Sequence, residues 1–152
     1  MNTTIVHIDT DNDCQRLQLK MLFNEYSSAL STNIDTNIIE KLFKLPYFHG
    51  FICNVNDKPA AFAVCFESYS TYRSKKVLNI HDFMVASNYR SKGVGKVLLH
   101  GIEQYSRENN YLKITLEVSE GNIAAKKLYD SCHFEDEKIT STDLLHWQKY
   151  LD

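Results

Sequence analysis

The sequence predicts a single α/β (α+β) domain over residues 1–152, with a central, mixed, mostly antiparallel sheet of about seven strands and about four helices on its two faces. Three observations carry this. Strand and helix periodicities follow one another in the order β-α-α-β-β-β-α-β-α-β-β. A run of hairpin strands precedes the first strand–helix–strand crossover, which disfavours a doubly wound parallel sheet. The 152 residues, 43% hydrophobic and 24% charged, have the balance of one globular domain able to bury a core.

The chain opens on TIVHI, a short β-branched strand. Leu19, Leu22, Phe23, Tyr26 and Leu30 then recur at the spacing of one helical face. A shorter helix carries Ile38, Leu42 and Leu45 and stops at Pro46. HGFICNVNDKPAAFAVCFES reads as a hairpin, two apolar runs around Asn56-Asp57-Lys58. VLNIHDFMV is the next strand. After it, Val94, Val97, Leu98, Gly101, Ile102 and Tyr105 share a helical face. LKITLEV alternates as a strand, and a helix over about residues 122–132 buries Ala125, Leu128, Tyr129 and Cys132. Two short strands near FEDEKI and LLHWQKYL close the order.

Charge and cysteine usage narrow the function classes. Lys plus Arg number 17 against 19 for Asp plus Glu, a net charge of −2. That is neither the basic stripe of a nucleic-acid binder nor an acidic tail, so no nucleic-acid partner is expected. The longest apolar stretch, around Pro59 to Phe66, has a buried strand's length, so no membrane partner is expected either. Cys14, Cys53, Cys65 and Cys132 form no C-x-x-C pair, and His7, His49, His100 and His146 have no ligand spacing, so no metal is expected. Scattered single thiols suit a reducing compartment, and the first residues have no cationic, apolar leader. The expected location is cytoplasmic.

The informative segment is RSKGVGKVLLHGIE, where the strand VLNIHDFMV meets its helix. Glycine costs about 1 kcal/mol against alanine inside a helix, so Gly93 and Gly95 at a helix start want a reason. One is a plain tight turn. The other is close approach of an anion to successive N–H groups, helped by the helix dipole and by Arg90, Lys92 and Lys96. A dinucleotide fingerprint fails because Leu98 stands where its third glycine belongs, and a P-loop fails because Val97 follows Gly95-Lys96.

What remains, R-x-x-G-x-G after a strand, resembles the acetyl-CoA loop of the GCN5-related N-acetyltransferase (GNAT) superfamily, with Arg90, Gly93 and Gly95 in place. A second block, LEVSEGNIAAKKLYDSCHF, is similar to the family's L-x-V-x-x-x-N-x-x-A-x-x-x-Y-x-x-x-G-F through Leu116, Val118, Asn122, Ala125, Tyr129 and Phe134. One departure stands out: His133 occupies the position of the family's glycine, where a positive φ is usual.

The resemblance implies the acyl-CoA N-acyltransferase fold, acetyl-CoA as cosubstrate, and transfer of its acetyl group to a primary amine by direct attack on the thioester. It implies that Met84 and Val85 offer main-chain partners to the pantetheine arm, that Arg90, Ser91, Lys92, Gly93, Val94, Gly95 and Lys96 hold the pyrophosphate, and that Asn122 anchors the pantetheine region. It also implies that Tyr129 touches the CoA sulfur and protonates the departing thiolate; otherwise Tyr129 is a core residue beside Leu128.

An alkylamine with a pKa of about 10.4 must lose a proton first, at a cost of about 4–5 kcal/mol at pH 7, so a base is needed. His81 and Asp82 are the candidates. Simple alternation puts His81, Phe83 and Val85 on one face and Ile80, Asp82 and Met84 on the other. An imidazole, ordinarily titrating near about 6.5, is the better base at neutral pH than a carboxylate. Glu117 and Glu120 are weaker candidates.

The resemblance places the acceptor against the first two helices, the loop between them and the last hairpin, where Tyr26, Tyr47, Phe48 and Trp147 offer aromatic surface; the stretch ESYSTYRSKKVLNIHDFMV, with Tyr69 and Tyr72, also looks like the corresponding part of small-amine and polyamine acetyltransferases. A small-molecule amine is the expected acceptor. A protein N-terminus or lysine, and a non-catalytic acyl-CoA-binding module, are the alternatives, and a homodimer stays open.

Overall fold

The computed structural model describes residues 1–30, 33–136 and 147–151. Among them, five strands form one sheet in the order β1-β2-β3-β4-β5: β1 (Thr3–His7), β2 (Phe48–Val55), β3 (Lys58–Ser70), β4 (Lys75–Val85) and β5 (Lys113–Leu116). Neighbours from β1 to β4 are antiparallel, and β4 pairs with β5 in parallel. The same described residues hold four α-helices, α1 (Asp13–Ala29), α2 (Ile38–Phe43), α3 (Val94–Glu108) and α4 (Ile123–Ser131), and a 3₁₀ turn at Ser87–Tyr89 links β4 to α3. The expected seven strands are thus five among the described residues. The two closing strands fall largely on residues 137–146, outside those described, and 134–136 and 147–151 carry no strand.

Two cores sandwich the sheet, because strand side chains alternate faces. Phe51, Cys53, Ala61, Ala63, Leu78 and Ile80 meet Val94, Leu98 and Ile102 of α3. On the other face Ile52, Phe62, Val64 and Met84 meet Leu19, Leu22 and Phe23 of α1 and Ile39 and Leu42 of α2. Local signals set the element ends. The Asn12 side chain caps α1 at the N–H of Gln15, 3.0 Å away. Asn56 and Asp57, with φ of 47° and 63°, make the two-residue turn between β2 and β3. An ion pair of 2.5 Å from Lys20 to Glu40 ties α1 to α2.

The strand that carries the expected base is not regular. Val64 stands opposite Asp82, but the next residue, Cys65, stands opposite Ile80. His81 is therefore the extra residue of a β-bulge. Leu78 and Ile80 point to the α3 face, whereas Asp82 and Met84 lie on the α1 face and Phe83 and Val85 pack towards α3. This corrects the simple alternation: Ile80 does not share a face with Asp82 and Met84, because the bulge resets the phase between them.

Candidate active site

β4 and β5 part company half-way. Their ladder runs only from Val77–Lys113 to Ile80–Leu116, and in the pair before its end the Asn79 side-chain amide donates to Thr115 Oγ1 at 3.0 Å. Beyond it β4 continues to Val85 with no partner on that edge among the described residues. The N–H of Ala86 donates to the carbonyl of Ala60 at 2.8 Å, which directs the peptide groups of Ala86 and Met84 to β3. Those of Phe83 and Val85 consequently face the opening. Met84 has its side chain buried on the α1 face. The Val85 carbonyl accepts from Arg90 Nε at 2.9 Å.

The opening leads to the start of α3. Ser91 and Gly93 both have positive φ, 60° and 80°. Gly93 is the cap residue, no side chain caps the helix, and the first intrahelical bond is from Val97 N–H to the Gly93 carbonyl. The N–H groups of Val94, Gly95 and Lys96 therefore point out of the helix end without partners among the described residues. The two glycines have different reasons. At Gly93 the left-handed conformation demands one, and the space around it is open. At Gly95 a Cβ would come within 3.1 Å of Leu128 and 3.4 Å of Val85, so its absence lets α3 lie close against α4 and β4. Lys92 Nζ is held on the Asn88 carbonyl at 2.9 Å.

α4 supplies the far wall. Asn122 caps it, its side-chain oxygen accepting from the Ala125 N–H at 3.2 Å. Tyr129, half-buried, meets Phe83 edge-on with ring centroids 6.1 Å apart and packs on Phe134. Burial pushes its hydroxyl pKa above the ordinary 10. Glu117 and Glu120 are exposed.

On the α1 side the bulge brings His81 and Asp82 together. His81 Nδ1 lies 3.0 Å from Asp82 Oδ2, and the Tyr26 hydroxyl donates to Asp82 Oδ1 at 3.0 Å. The Tyr26 pKa is pushed up to about 12, by burial first and by the neighbouring Asp82 carboxylate second. Phe66, whose importance local pattern does not signal, meets the His81 ring edge-on at 5.3 Å and Tyr47 at 6.1 Å. Tyr26, Tyr47, His81 and Asp82 thus border one surface. Tyr69 does not join them: it pairs with Lys76, four ladder steps or about 13 Å from the bulge. Trp147 is exposed, in a described segment with no strand.

The sequence matches the profile of the Acetyltransferase (GNAT) family over residues 13–134. The chain belongs to that family. Among curated relatives, it is 28% identical over 90 residues to an uncharacterized N-acetyltransferase of Methanocaldococcus jannaschii, covering 59% of this chain and 40% of that protein. It is 33% identical over 108 residues to streptothricin acetyltransferase A of Bacillus subtilis, covering 62% of each. The matches therefore span less than two thirds of these relatives' length. Among solved structures, an aminoglycoside acetyltransferase from an uncultured soil metagenomic sample, in complex with sisomicin, superposes with a TM-score of 0.79 at 19% identity, covering 99% of this chain and 97% of that one. At that identity the likeness speaks for the fold. Among the described residues of this GNAT chain, no cluster of His, Cys, Asp and Glu could hold a metal ion, and no helix is long and apolar enough to cross a membrane.

Proposed function

We propose that the chain is an acetyl-CoA-dependent N-acetyltransferase whose acceptor is a primary amine of a small molecule. The observation that carries the reading is the edge of β4 that no other described strand covers, with the Phe83 and Val85 peptide groups turned outward, ending at a helix N-terminus without a side-chain cap. An extended pantetheine amide fits such an edge as an added strand. An anionic pyrophosphate fits the free amides of Val94, Gly95 and Lys96, reached over the side-chain-free Gly93, with Arg90, Ser91 and Lys92 alongside. Acetyl-CoA supplies an acyl thioester for the amine to attack.

The chain's own residues divide the proton work. Tyr129 keeps its proton at neutral pH, since burial raises its pKa, and is the donor for the sulfur. Its edge contact with Phe83 sets the ring beside the outward-facing part of β4. His81, exposed on the α1 side of the same strand, accepts the amine's proton. Asn122 has its oxygen engaged as the α4 cap, which leaves its amide N–H₂ for the pantetheine region. Phe83 replaces Met84 as a main-chain partner, because the register turns Met84 towards β3. The rings of Tyr26, Tyr47 and Phe66 border the acceptor surface. The small-molecule acceptor is further supported by the similarity to a streptothricin acetyltransferase.

The test is a thiol-release assay with acetyl-CoA against small amines and against peptides with free N-termini and lysines. Release with small amines alone is the expected result. Release with peptides alone overturns the acceptor class, and acetyl-CoA binding without release from any amine overturns the enzyme.

A further inference from the structure

We propose that Asp82 is a positioning residue that locks His81 in the Nδ1–H tautomer, and that Tyr26 fixes Asp82 in turn, leaving His81 Nε2 as the proton acceptor. The proposal rests on the acetyl-transfer reading above and takes it to the side chains that set the geometry of its base.

The bulge makes the arrangement possible. In an unbroken strand, residues 81 and 82 project to opposite faces. Here the extra residue at 81 lets the imidazole and the carboxylate meet, with Nδ1 3.0 Å from Oδ2. A carboxylate offers only acceptors, so the proton of this contact sits on Nδ1. A neutral imidazole carries one ring proton, so Nε2 is left with its lone pair. Nε2 has no hydrogen-bond partner among the described residues, and the His81 side chain is 62% exposed. It is open to an incoming amine and can pass its proton on to solvent.

The carboxylate is itself held. Its second oxygen accepts from the Tyr26 hydroxyl at 3.0 Å. Tyr26 stands edge-on to both Phe23 and Phe62, with centroids 5.4 and 5.5 Å away, so its ring has little room to turn. Its raised pKa, about 12, keeps the hydroxyl a donor throughout the neutral range. Phe66 closes the other side of the imidazole at 5.3 Å. The chain Tyr26–Asp82–His81 therefore runs from the packed face of α1 to an exposed ring nitrogen. When His81 takes a proton, both ring nitrogens become donors and the Asp82 charge compensates the imidazolium, the service a carboxylate gives a catalytic histidine elsewhere. With both oxygens engaged, Asp82 acts through His81.

The experiment is nitrogen-15 NMR of the histidine rings in the full chain, at a pH where His81 is neutral, alongside steady-state kinetics. Wild type is expected to carry the His81 proton on Nδ1, and Asp82→Ala to move it to Nε2. Asp82→Ala should lower kcat by at least roughly 10–100-fold, the loss on removing a partner that orients a metal-ligating histidine, with the KM for acetyl-CoA nearly unchanged. Tyr26→Phe should keep the Nδ1 proton and lower kcat by less.

A wild-type spectrum with the proton on Nε2 overturns the proposal. So does a folded Asp82→Ala variant with the tautomer unchanged. The wild-type spectrum needs no variant to fold and no turnover. An Nδ1–H ring in a protein that acetylates no amine would therefore support the lock and overturn the acetyl-transfer reading instead.

Discussion

The main-chain N–H of Phe134 donates to the carbonyl of Tyr129 at 3.0 Å, and the two rings meet with centroids 5.8 Å apart. With the His133 N–H on the Asp130 carbonyl at 2.9 Å, this ends α4 in a Schellman motif. The motif requires a left-handed residue, and His133 supplies it at φ 65°. The family's glycine is thus replaced without loss of the turn, at the cost of a strained side-chain-bearing residue. His133→Gly should raise stability by about 0.5–1 kcal/mol, the left-handed penalty less the entropy glycine adds to the unfolded chain. Thermal unfolding should shift upwards by about 2–4 °C per kcal/mol. An unchanged or lower midpoint would mean that the imidazole makes compensating contacts.

The same turn anchors the ring whose hydroxyl the mechanism uses. Tyr129→Phe keeps the packing on Phe83 and Phe134 and removes only the proton donor. Turnover should fall by roughly 10²–10⁴-fold, with acetyl-CoA affinity retained. Because the Tyr129 pKa lies above 10, its ionisation cannot produce an activity loss between pH 7 and 9. A variant that turns over normally but melts earlier would return Tyr129 to the core.

The elements were legible where burial alone decides them. Val94, Leu98 and Ile102 recur on one face of α3 and are buried there. Leu19, Leu22 and Phe23 do the same for α1. The first four strands and the crossover follow from equally local patterns. The bulge at His81 was not legible. N-I-H-D-F-M-V alternates as well with it as without it, and the slip is set by which residues of β3 stand opposite. The faces of His81 and Asp82 therefore could not be read from the strand's own pattern. Nor could the Tyr26–Asp82 bond, which joins residues far apart in sequence through the packing of α1 on the sheet. Gly93 and Gly95 stood out as a pair, but only the structure separates a backbone requirement at the first from a packing requirement at the second.

That separation gives a test of the loop. Gly93 sits at φ 80° with open space where a side chain would be. Asparagine tolerates the left-handed region better than most residues, so Gly93→Asn should keep the turn and weaken acetyl-CoA only by its neutral bulk. Gly93→Glu adds bulk and a negative charge beside the free amides of Val94, Gly95 and Lys96. It should weaken acetyl-CoA by more than tenfold in calorimetry, a difference of at least about 1.4 kcal/mol. Equal affinities for the two variants, both folded by circular dichroism, would move the pyrophosphate elsewhere.

Away from the site, the edge of the sheet carries a pH dependence of its own. His7 Nε2 lies 3.1 Å from His49 Nδ1, and its ring packs on Tyr105 and Phe51 with centroids 4.3 and 5.1 Å away. His7 is exposed as a residue, but partial burial of its ring against these neighbours first, and His49 second, hold its pKa below the ordinary 6.5. The unfolded chain therefore takes up a proton near pH 6.5 that the folded chain refuses until lower pH. Stability should fall as pH drops through 6.5 and level off once the folded value is passed. Glu67 works in a different window. Burial pulls its pKa up, but hydrogen bonds to Tyr111 and His49 outweigh that and leave it below 4.5. Its contribution is present above 4.5 and is lost only as pH falls through the folded value, so it is constant between pH 7.5 and 5.5. Urea midpoints at those two pH values should show a loss in wild type that His7→Gln reduces. If both proteins lose the same amount, the proton is being taken up by some other group.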